Sequence, residues 1–271
     1  MVLKDNDNNI LPVKFNKTAS LAELRKVKIP VQSGGKEFKL EGLLAFIPKE
    51  KNANFCTDDN DGIKMTNLQD VGVVITHPHP MLGGNLNNNV VMGVSEYIVY
   101  HLQVPVLSLN FRGVGNSEGV GSWRGSYERE DTKAAASYLV NQSMQDMGYK
   151  INRVIMIGYS YGSVIAGSVI DEIPEVIAYT AISYPFGPLT FMLLGPLLQS
   201  TLDSLKPKFF VTGDQDNFTS TSTFKKRLSQ MKGEDITFKI IPNLDHFYGG
   251  SENKLSREIL KWIYFQIFKD N

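Results

Sequence analysis

The chain has 271 residues and carries 28 Lys+Arg against 28 Asp+Glu, so its formal charge of zero gives no electrostatic basis for binding nucleic acid or an anionic membrane. A hydrophobic share of 42% predicts a soluble protein with one large domain over residues 1–271. The only cysteine, Cys56, excludes an internal disulfide and a cysteine-based zinc site, and we expect a cytoplasmic protein.

The first part of the chain predicts an extension, a strand pair and an insertion. Residues 1–25 form the N-terminal extension, which contains no apolar stretch of the kind found in a secretory signal. Apolar and β-branched residues at 26–32 and 39–48 predict two strands joined by a Ser-Gly-Gly turn. The Asn- and Asp-rich stretch 49–70 predicts a polar surface insertion. No apolar run reaches the roughly 20 residues that cross a bilayer, so we expect no stable membrane insertion.

From residue 71 onward, short apolar runs alternate with helical patterns. The runs are Val71–Thr76, Val104–Leu109, Arg153–Ile157, Val176–Ile182, Lys208–Thr212 and Ile236–Ile241, and the helical patterns lie near 87–102, 127–147, 162–172, 220–232 and 253–268. Runs this apolar are typical of strands buried on both faces. The alternation predicts an α/β fold with a mostly parallel sheet of about eight strands and helices on both faces. Ligands of such sheets bind beyond the carboxyl ends of the strands.

The first of these strand ends carries two histidines. His77 and His79 occur in "HPHPMLGGNLNNN", which follows Val71–Thr76. Neither a carboxylate nor a third histidine stands at ligand spacing, so we expect no metal site here. The chain as a whole suggests no cofactor.

The same loop is a candidate for presenting a backbone donor. Pro78 and Pro80 have no N–H, so the N–H of His79 stands isolated between them. A rigid loop that presents one N–H at a strand end is what an oxyanion hole requires. The alternative is a plain turn that caps the next helix, with Asn85 or Asn87 near the N-cap.

The loop "NFRGVGNSEG" follows the second run and contains three glycines. Its spacing is neither that of a P-loop nor that of a dinucleotide fingerprint. Arg112 could bind an acidic substrate, but an ion pair with a nearby carboxylate such as Glu118, fixing the loop, is the favoured interpretation.

The third strand leads into Gly-x-Ser-x-Gly, with Ser160 at its centre and a helical pattern after it. Such a strand–turn–helix holds the serine at the tip of a sharp, strained turn, where glycines at 158 and 162 avoid collisions. The turn also places the N–H of Tyr161 at a helix N-terminus, where it can face developing negative charge.

The last two strand ends supply an acid and a base. Asp214 and Asp216 follow the fifth run in "GDQDNF", and His246 follows the sixth in "PNLDHFYGG". A serine hydroxyl becomes a good nucleophile when a histidine takes its proton and an acid orients that histidine. The order Ser160, Asp216, His246 is the nucleophile–acid–base order of the α/β-hydrolases.

Taken together, residues 39–268 resemble an α/β-hydrolase of the serine type. The motifs "HPHPMLGG", "NFRGVGNSEG", "GDQD" and "DHFYGG" resemble a cap-less subgroup of predicted hydrolases related to dienelactone hydrolases and acyl-peptidase catalytic domains. The resemblance implies Asp216 rather than Asp214 as the triad acid, His246 as the base and His79 as the first oxyanion donor. Dienelactone hydrolases use a cysteine where this chain has Ser160, so their substrate does not carry over.

About 25 residues separate the fourth and fifth runs, too few for a large cap domain. They include the apolar segment 184–205, which is either a core helix broken at Gly195-Pro196 or an exposed surface, serving as an apolar wall for an acyl group or in self-association.

The predicted function is hydrolysis of a small ester, thioester or amide through an acyl-enzyme on Ser160, with Asp216 and His246 completing the triad. The motifs name no substrate-binding residues. The alternative is an inactive binding or scaffold protein that kept the fold. Epoxide and haloalkane hydrolases need a carboxylate at position 160 and are excluded.

Overall fold

An eight-stranded sheet forms the centre of the protein. A computed structural model describes residues 3–4, 10–11, 22–48, 70–148 and 150–268. Its strands are β1 Leu3–Lys4, β2 Ile10–Leu11, β3 Glu23–Ser33, β4 Lys36–Phe46, β5 Val71–Thr76, β6 Val106–Leu109, β7 Arg153–Tyr159, β8 Val176–Ile182, β9 Lys208–Gly213 and β10 Ile236–Ile241. The predicted insertion 49–70 lies outside the described residues except for Asp70, and so does most of the predicted extension 1–25.

The sheet is mostly parallel, as predicted. Its strand order is β10-β9-β8-β7-β5-β6-β4-β3, while β1 and β2 form a separate antiparallel pair. The five strands β5 to β9 and the edge strand β10 run parallel, whereas β3 and β4 form the antiparallel hairpin expected around Gly34-Gly35. The parallel strands therefore all end at one edge, and the loops that follow them meet there.

Helices cover both faces of the sheet. They are α1 Asn89–Leu102, α2 Ser126–Met147, α3 Tyr161–Gly167, α4 Pro188–Asp203, α5 Thr221–Leu228 and α6 Glu252–Phe268. Residues of α2, α3, α4 and α5 belong to one buried apolar cluster, and residues of α1 and α6 belong to the other. Because both faces are covered, the central strands β5, β6 and β9 are buried along their whole length.

One local expectation was wrong. Strand β10 is exposed at three of its central positions, because it is the edge strand of the sheet and not a strand between two others. The N-cap of α1 is Asn88, next to the predicted Asn87, and its side chain accepts the N–H of Val90 at 3.0 Å.

The apolar segment 184–205 folds mainly into α4, and no large cap domain stands between β8 and β9. The helix is kinked at Leu194, next to the predicted break. Beyond the kink, Leu198 and Leu202 are buried in the core, whereas Phe191 and Met192 before it are exposed. The half beyond the kink agrees with the interpretation as a core helix, whereas an acyl-binding or self-association role of the exposed half stays a prediction.

Within the described ranges, every helix is too short or too polar to cross a bilayer.

Candidate active site

The turn between β7 and α3 holds Ser160 in a strained conformation. Its φ of 54° and ψ of −122° lie where non-glycine residues seldom occur. A Cβ on Gly158 would lie 2.6 Å from the backbone nitrogen of Ser163, and one on Gly162 would lie 2.7 Å from the carbonyl oxygen of Thr76. Both glycines are therefore needed for the backbone to pack this closely.

The structure brings Ser160, His246 and Asp216 together in a chain of hydrogen bonds. Ser160 Oγ lies 2.9 Å from His246 Nε2, and His246 Nδ1 lies 2.8 Å from Asp216 Oδ2. An ionised carboxylate can only accept, so Nδ1 carries the proton and Nε2 is free to accept the serine hydroxyl. All three residues are buried.

Asp216 is held in its ionised form. Burial alone would raise the pKa of this carboxyl, but the hydrogen bond from His246 and the N–H of Phe218 outweigh burial and lower the pKa below its usual value. The N–H groups of Phe218 and Thr219 donate to Oδ1 at 2.8 and 3.2 Å, and Thr212 Oγ1 donates to Oδ2 at 3.2 Å. The carboxylate of Asp216 is thus held in a fixed orientation against the imidazole of His246.

His77 shapes the loop that follows β5. Its Nε2 accepts the N–H of Phe111 at 3.1 Å, so the proton is on Nδ1, which lies 2.6 Å from the carbonyl oxygen of Pro78. Burial lowers the pKa of His77 to about 4, so the ring stays neutral near pH 7. Both ring nitrogens are engaged by the backbone, and the histidine acts as a support for the loop.

The two predicted oxyanion donors stand on adjoining segments. The rings of His79 and Tyr161 contact each other edge to face at 4.7 Å, and Thr76 Oγ1 donates to the carbonyl of Gly162 at 2.9 Å. Among the described residues, neither the N–H of His79 nor that of Tyr161 has a hydrogen-bond acceptor. The loop after β5 therefore lies against the turn at Ser160 and leaves both N–H groups unpaired among the described residues.

Solved structures share this arrangement of strands and helices. An α/β serine hydrolase homologue from Coxiella burnetii superposes with a TM-score of 0.65 at 23% identity, covering 87% of this chain and 96% of that one. A lid-less α/β serine hydrolase from Xanthomonas campestris gives a TM-score of 0.62 at 18% identity over 87% and 92% of the two chains. An esterase from Pyrococcus furiosus gives 0.65 at 18% identity over 95% of each. The chain has the α/β-hydrolase fold.

A sequence relative places the chain in a family. It is 30% identical over 193 residues to the uncharacterized protein RP471 of Rickettsia prowazekii (strain Madrid E), across 69% of this chain and 75% of that protein. This chain belongs to the RP471 family. No family model matches it.

Behind the acid, this member of the RP471 family contains a polar pair that the sequence did not reveal. Ser183 and Tyr248 are non-glycine residues with φ of 46° and 56°. Their hydroxyls lie 2.8 Å apart, both residues are buried, and Ser183 lies close enough to Asp216 to help lower the pKa of that carboxyl. Such strain persists only where the surroundings enforce it. The one available signal was position, because Ser183 directly follows β8 and Tyr248 stands two residues after His246.

The tyrosines beside Ser160 have different surroundings. Tyr159 is buried, and its hydroxyl donates to the carbonyl of His246 at 2.8 Å, which ties the backbone of His246 to β7. The ring of Tyr161 packs against His79 and Phe111. Tyr159 therefore helps to fix the position of His246.

Asp214 lies away from this hydrogen-bond chain. It is exposed, and its Oδ1 accepts the N–H of Asn243 at 2.7 Å, in the loop after β10. Of the two acids in "GDQD", the structure places only Asp216 against His246.

Arg112 fixes its loop, but through a partner other than the predicted Glu118. Its Nε donates to Asp131 at 2.8 Å, and a second guanidinium nitrogen pairs with Glu130 at 3.0 Å. Glu118 instead accepts the backbone N–H of Lys39. Helix α2 carries the acids that hold Arg112, and they are distant from the glycine-rich loop in sequence.

Proposed function

We propose that this protein is a serine hydrolase that cleaves a carboxylic ester, thioester or amide of a small substrate. The observation that supports this proposal best is the continuous hydrogen-bond chain from Ser160 Oγ through His246 to Asp216. It joins residues from three separate strand ends, on the fold shared by the esterase and hydrolase structures described above.

In the first half-reaction, Ser160 Oγ attacks the acyl carbon while its proton passes to His246 Nε2. The bond to the leaving group then breaks, and His246 returns that proton to the departing alcohol, thiol or amine. Asp216 stabilises the imidazolium that forms between these two steps. The product of this half is an acyl ester on Ser160.

In the second half-reaction, a water molecule attacks the acyl carbon and gives its proton to His246. The ester bond to Ser160 Oγ breaks, His246 protonates that oxygen, and the carboxylic acid leaves. The N–H groups of His79 and Tyr161 stabilise the oxyanion in both halves, and the loss of one such donor typically costs about 10²–10³ in kcat.

A fluorophosphonate probe tests the proposal, because it labels activated serines. We expect stoichiometric labelling that peptide mapping assigns to Ser160 and that Ser160→Ala abolishes. Ser143→Ala is the matched control, since Ser143 is a buried serine of helix α2 whose hydroxyl accepts the N–H of Ile151, before the start of β7, and it should still label. Labelling that persists in Ser160→Ala would refute the assignment. Folded protein that neither labels nor hydrolyses p-nitrophenyl esters would favour the inactive scaffold instead.

A further inference from the structure

Two partly exposed phenyl rings adjoin the imidazole of His246. The ring of Phe218 lies 4.3 Å from the imidazole centroid, and that of Phe247 lies 5.6 Å from it, nearly perpendicular. The two phenyl rings are 6.4 Å apart. Phe218 is 42% exposed and Phe247 is 54% exposed, whereas His246 is only 3% exposed. The rings thus form an open apolar corner around a buried base.

The backbone on either side of this corner is fixed. The N–H of Phe218 donates to Asp216 at 2.8 Å, and the N–H of Phe247 donates to Asp245 at 2.9 Å. The side chain of Asn89 also donates to the carbonyl of Phe247 at 3.1 Å. Both rings are therefore held on loops that are already ordered around the acid and the base, and the corner does not have to assemble when a ligand arrives.

The reaction itself determines which part of a substrate meets this corner. The leaving group must receive its proton from His246 Nε2, so its first atoms lie within hydrogen-bond distance of the imidazole. The acyl oxygen is bound elsewhere, at the N–H groups of His79 and Tyr161. Rings that adjoin His246 consequently contact the leaving group.

We propose that Phe218 and Phe247 form a subsite for an aromatic leaving group, so that the preferred substrates are esters or related acyl compounds whose departing part carries a ring. This inference rests on the proposed hydrolase function. Perpendicular and tilted phenyl rings at these separations offer the edge-to-face and offset contacts that aromatic groups favour. The side chains of Phe218 and Phe247 are uncharged hydrocarbon rings, so they favour an apolar aromatic group over an ionic one.

The test compares esters that differ in the leaving group alone. Ethyl acetate and benzyl acetate share the acyl group, and their alcohols have similar acidity, so a difference in kcat/KM reports binding of the ring. Ethyl acetate and ethyl hexanoate vary the acyl group alone. We expect the wild type to prefer benzyl over ethyl acetate by about tenfold or more, since each aromatic contact contributes a few-fold.

The variants are Phe218→Ala, Phe247→Ala and the double variant, with Phe265→Ala as the matched control. Phe265 is 61% exposed. Its neighbour Gln266 hydrogen-bonds Asp235, which directly precedes β10. Phe265 therefore lies near the start of the parallel strands, whereas the proposed subsite lies beyond their carboxyl ends. Each single variant should reduce the ratio of kcat/KM for benzyl acetate to that for ethyl acetate a few-fold, and the double variant should bring this ratio close to one. The hexanoate-to-acetate ratio should stay constant throughout, and the control should change neither ratio.

Two outcomes would overturn the subsite. One is a wild type without a benzyl preference. The other is a double variant that loses benzyl and ethyl activity equally, which would mean that the rings only support His246. Fluorophosphonate labelling of the same samples separates this failure from that of the proposed function. If Ser160 is labelled but the benzyl-to-ethyl ratio of kcat/KM is the same in the wild type and the double variant, the subsite alone is refuted. If the protein shows neither labelling nor turnover, both proposals are refuted.

Discussion

Gly162→Ala should damage both stability and activity, because a methyl group at this position has no room. Its carbon would lie 2.7 Å from the carbonyl oxygen of Thr76 and closer still to that of His77, where ordinary contacts begin at 3.4 Å. The closest contact, 2.4 Å to the carbonyl oxygen of His77, means that the loop after β5 and the turn at Ser160 would have to separate by about 1 Å. Overpacking of this kind typically lowers the free energy of unfolding by about 1–3 kcal/mol. The higher helix propensity of alanine offsets at most about 1 kcal/mol of this loss.

The same displacement moves Ser160 relative to both oxyanion donors, and a shift of about 1 Å can cost about 10²-fold in rate. Urea unfolding followed by circular dichroism measures the first effect, and kcat/KM for p-nitrophenyl acetate measures the second. Gly195→Ala is the control, because a Cβ there meets no atom within 4 Å apart from its chain neighbours and its own helix backbone. It should leave kcat/KM unchanged, and we expect no gain in stability because Pro196 follows it inside helix α4. A Gly162→Ala protein with wild-type midpoint and kcat/KM would refute the close packing of the two loops.

Three further substitutions test the residues around the base. Asp216→Asn should lower kcat/KM by about 10³–10⁴, because the imidazole loses the acceptor that fixes its tautomer. The lowered pKa of Asp216 contributes stability that is complete above its unfolded pKa and lost as pH falls through its folded pKa. The unfolding free energy of the wild type should therefore fall more steeply than that of the variant below about pH 4, and parallel curves would contradict the ionised acid. Tyr159→Phe should lower kcat with KM little changed, measured by ester turnover, since it releases the carbonyl of His246; an unchanged kcat would show that this bond has no positioning role. Tyr248→Phe should cost about 1–3 kcal/mol in urea unfolding, because it removes a buried partner of Ser183, and an unchanged midpoint would argue against that bond.

The fold was predictable from the sequence because it depends on repeated local patterns. Buried parallel strands appear as uniform apolar runs, and β5, β8 and β10 begin and end where the runs do. Strand order is not a local property, however. Lys239 within the run Ile236–Ile241 is typical of an edge strand, but nothing local indicates that Phe238 beside it is exposed.

The site was predictable where a residue type is tied to backbone geometry. The two glycines around Ser160 indicate the sharp turn, and the acid and the histidine that follow later strands are the two residue types that an activated serine needs. Ser183 and Tyr248 belong to no such pattern. Their contact depends on how β8 and the loop after β10 pack behind Asp216, which only tertiary structure determines.

The most direct test of the central claim is the transient kinetics of p-nitrophenyl acetate hydrolysis, combined with intact-mass measurement of the quenched protein. If Ser160 is the nucleophile that His246 activates, the wild type should release a burst of p-nitrophenol equal to the enzyme concentration. It should then carry one acetyl group, which peptide mapping places on Ser160. The burst appears when deacylation is slower than acylation, so the decisive comparison is with Ser160→Ala. Turnover that persists unchanged in Ser160→Ala, or an acetyl group on any other residue, would contradict the account.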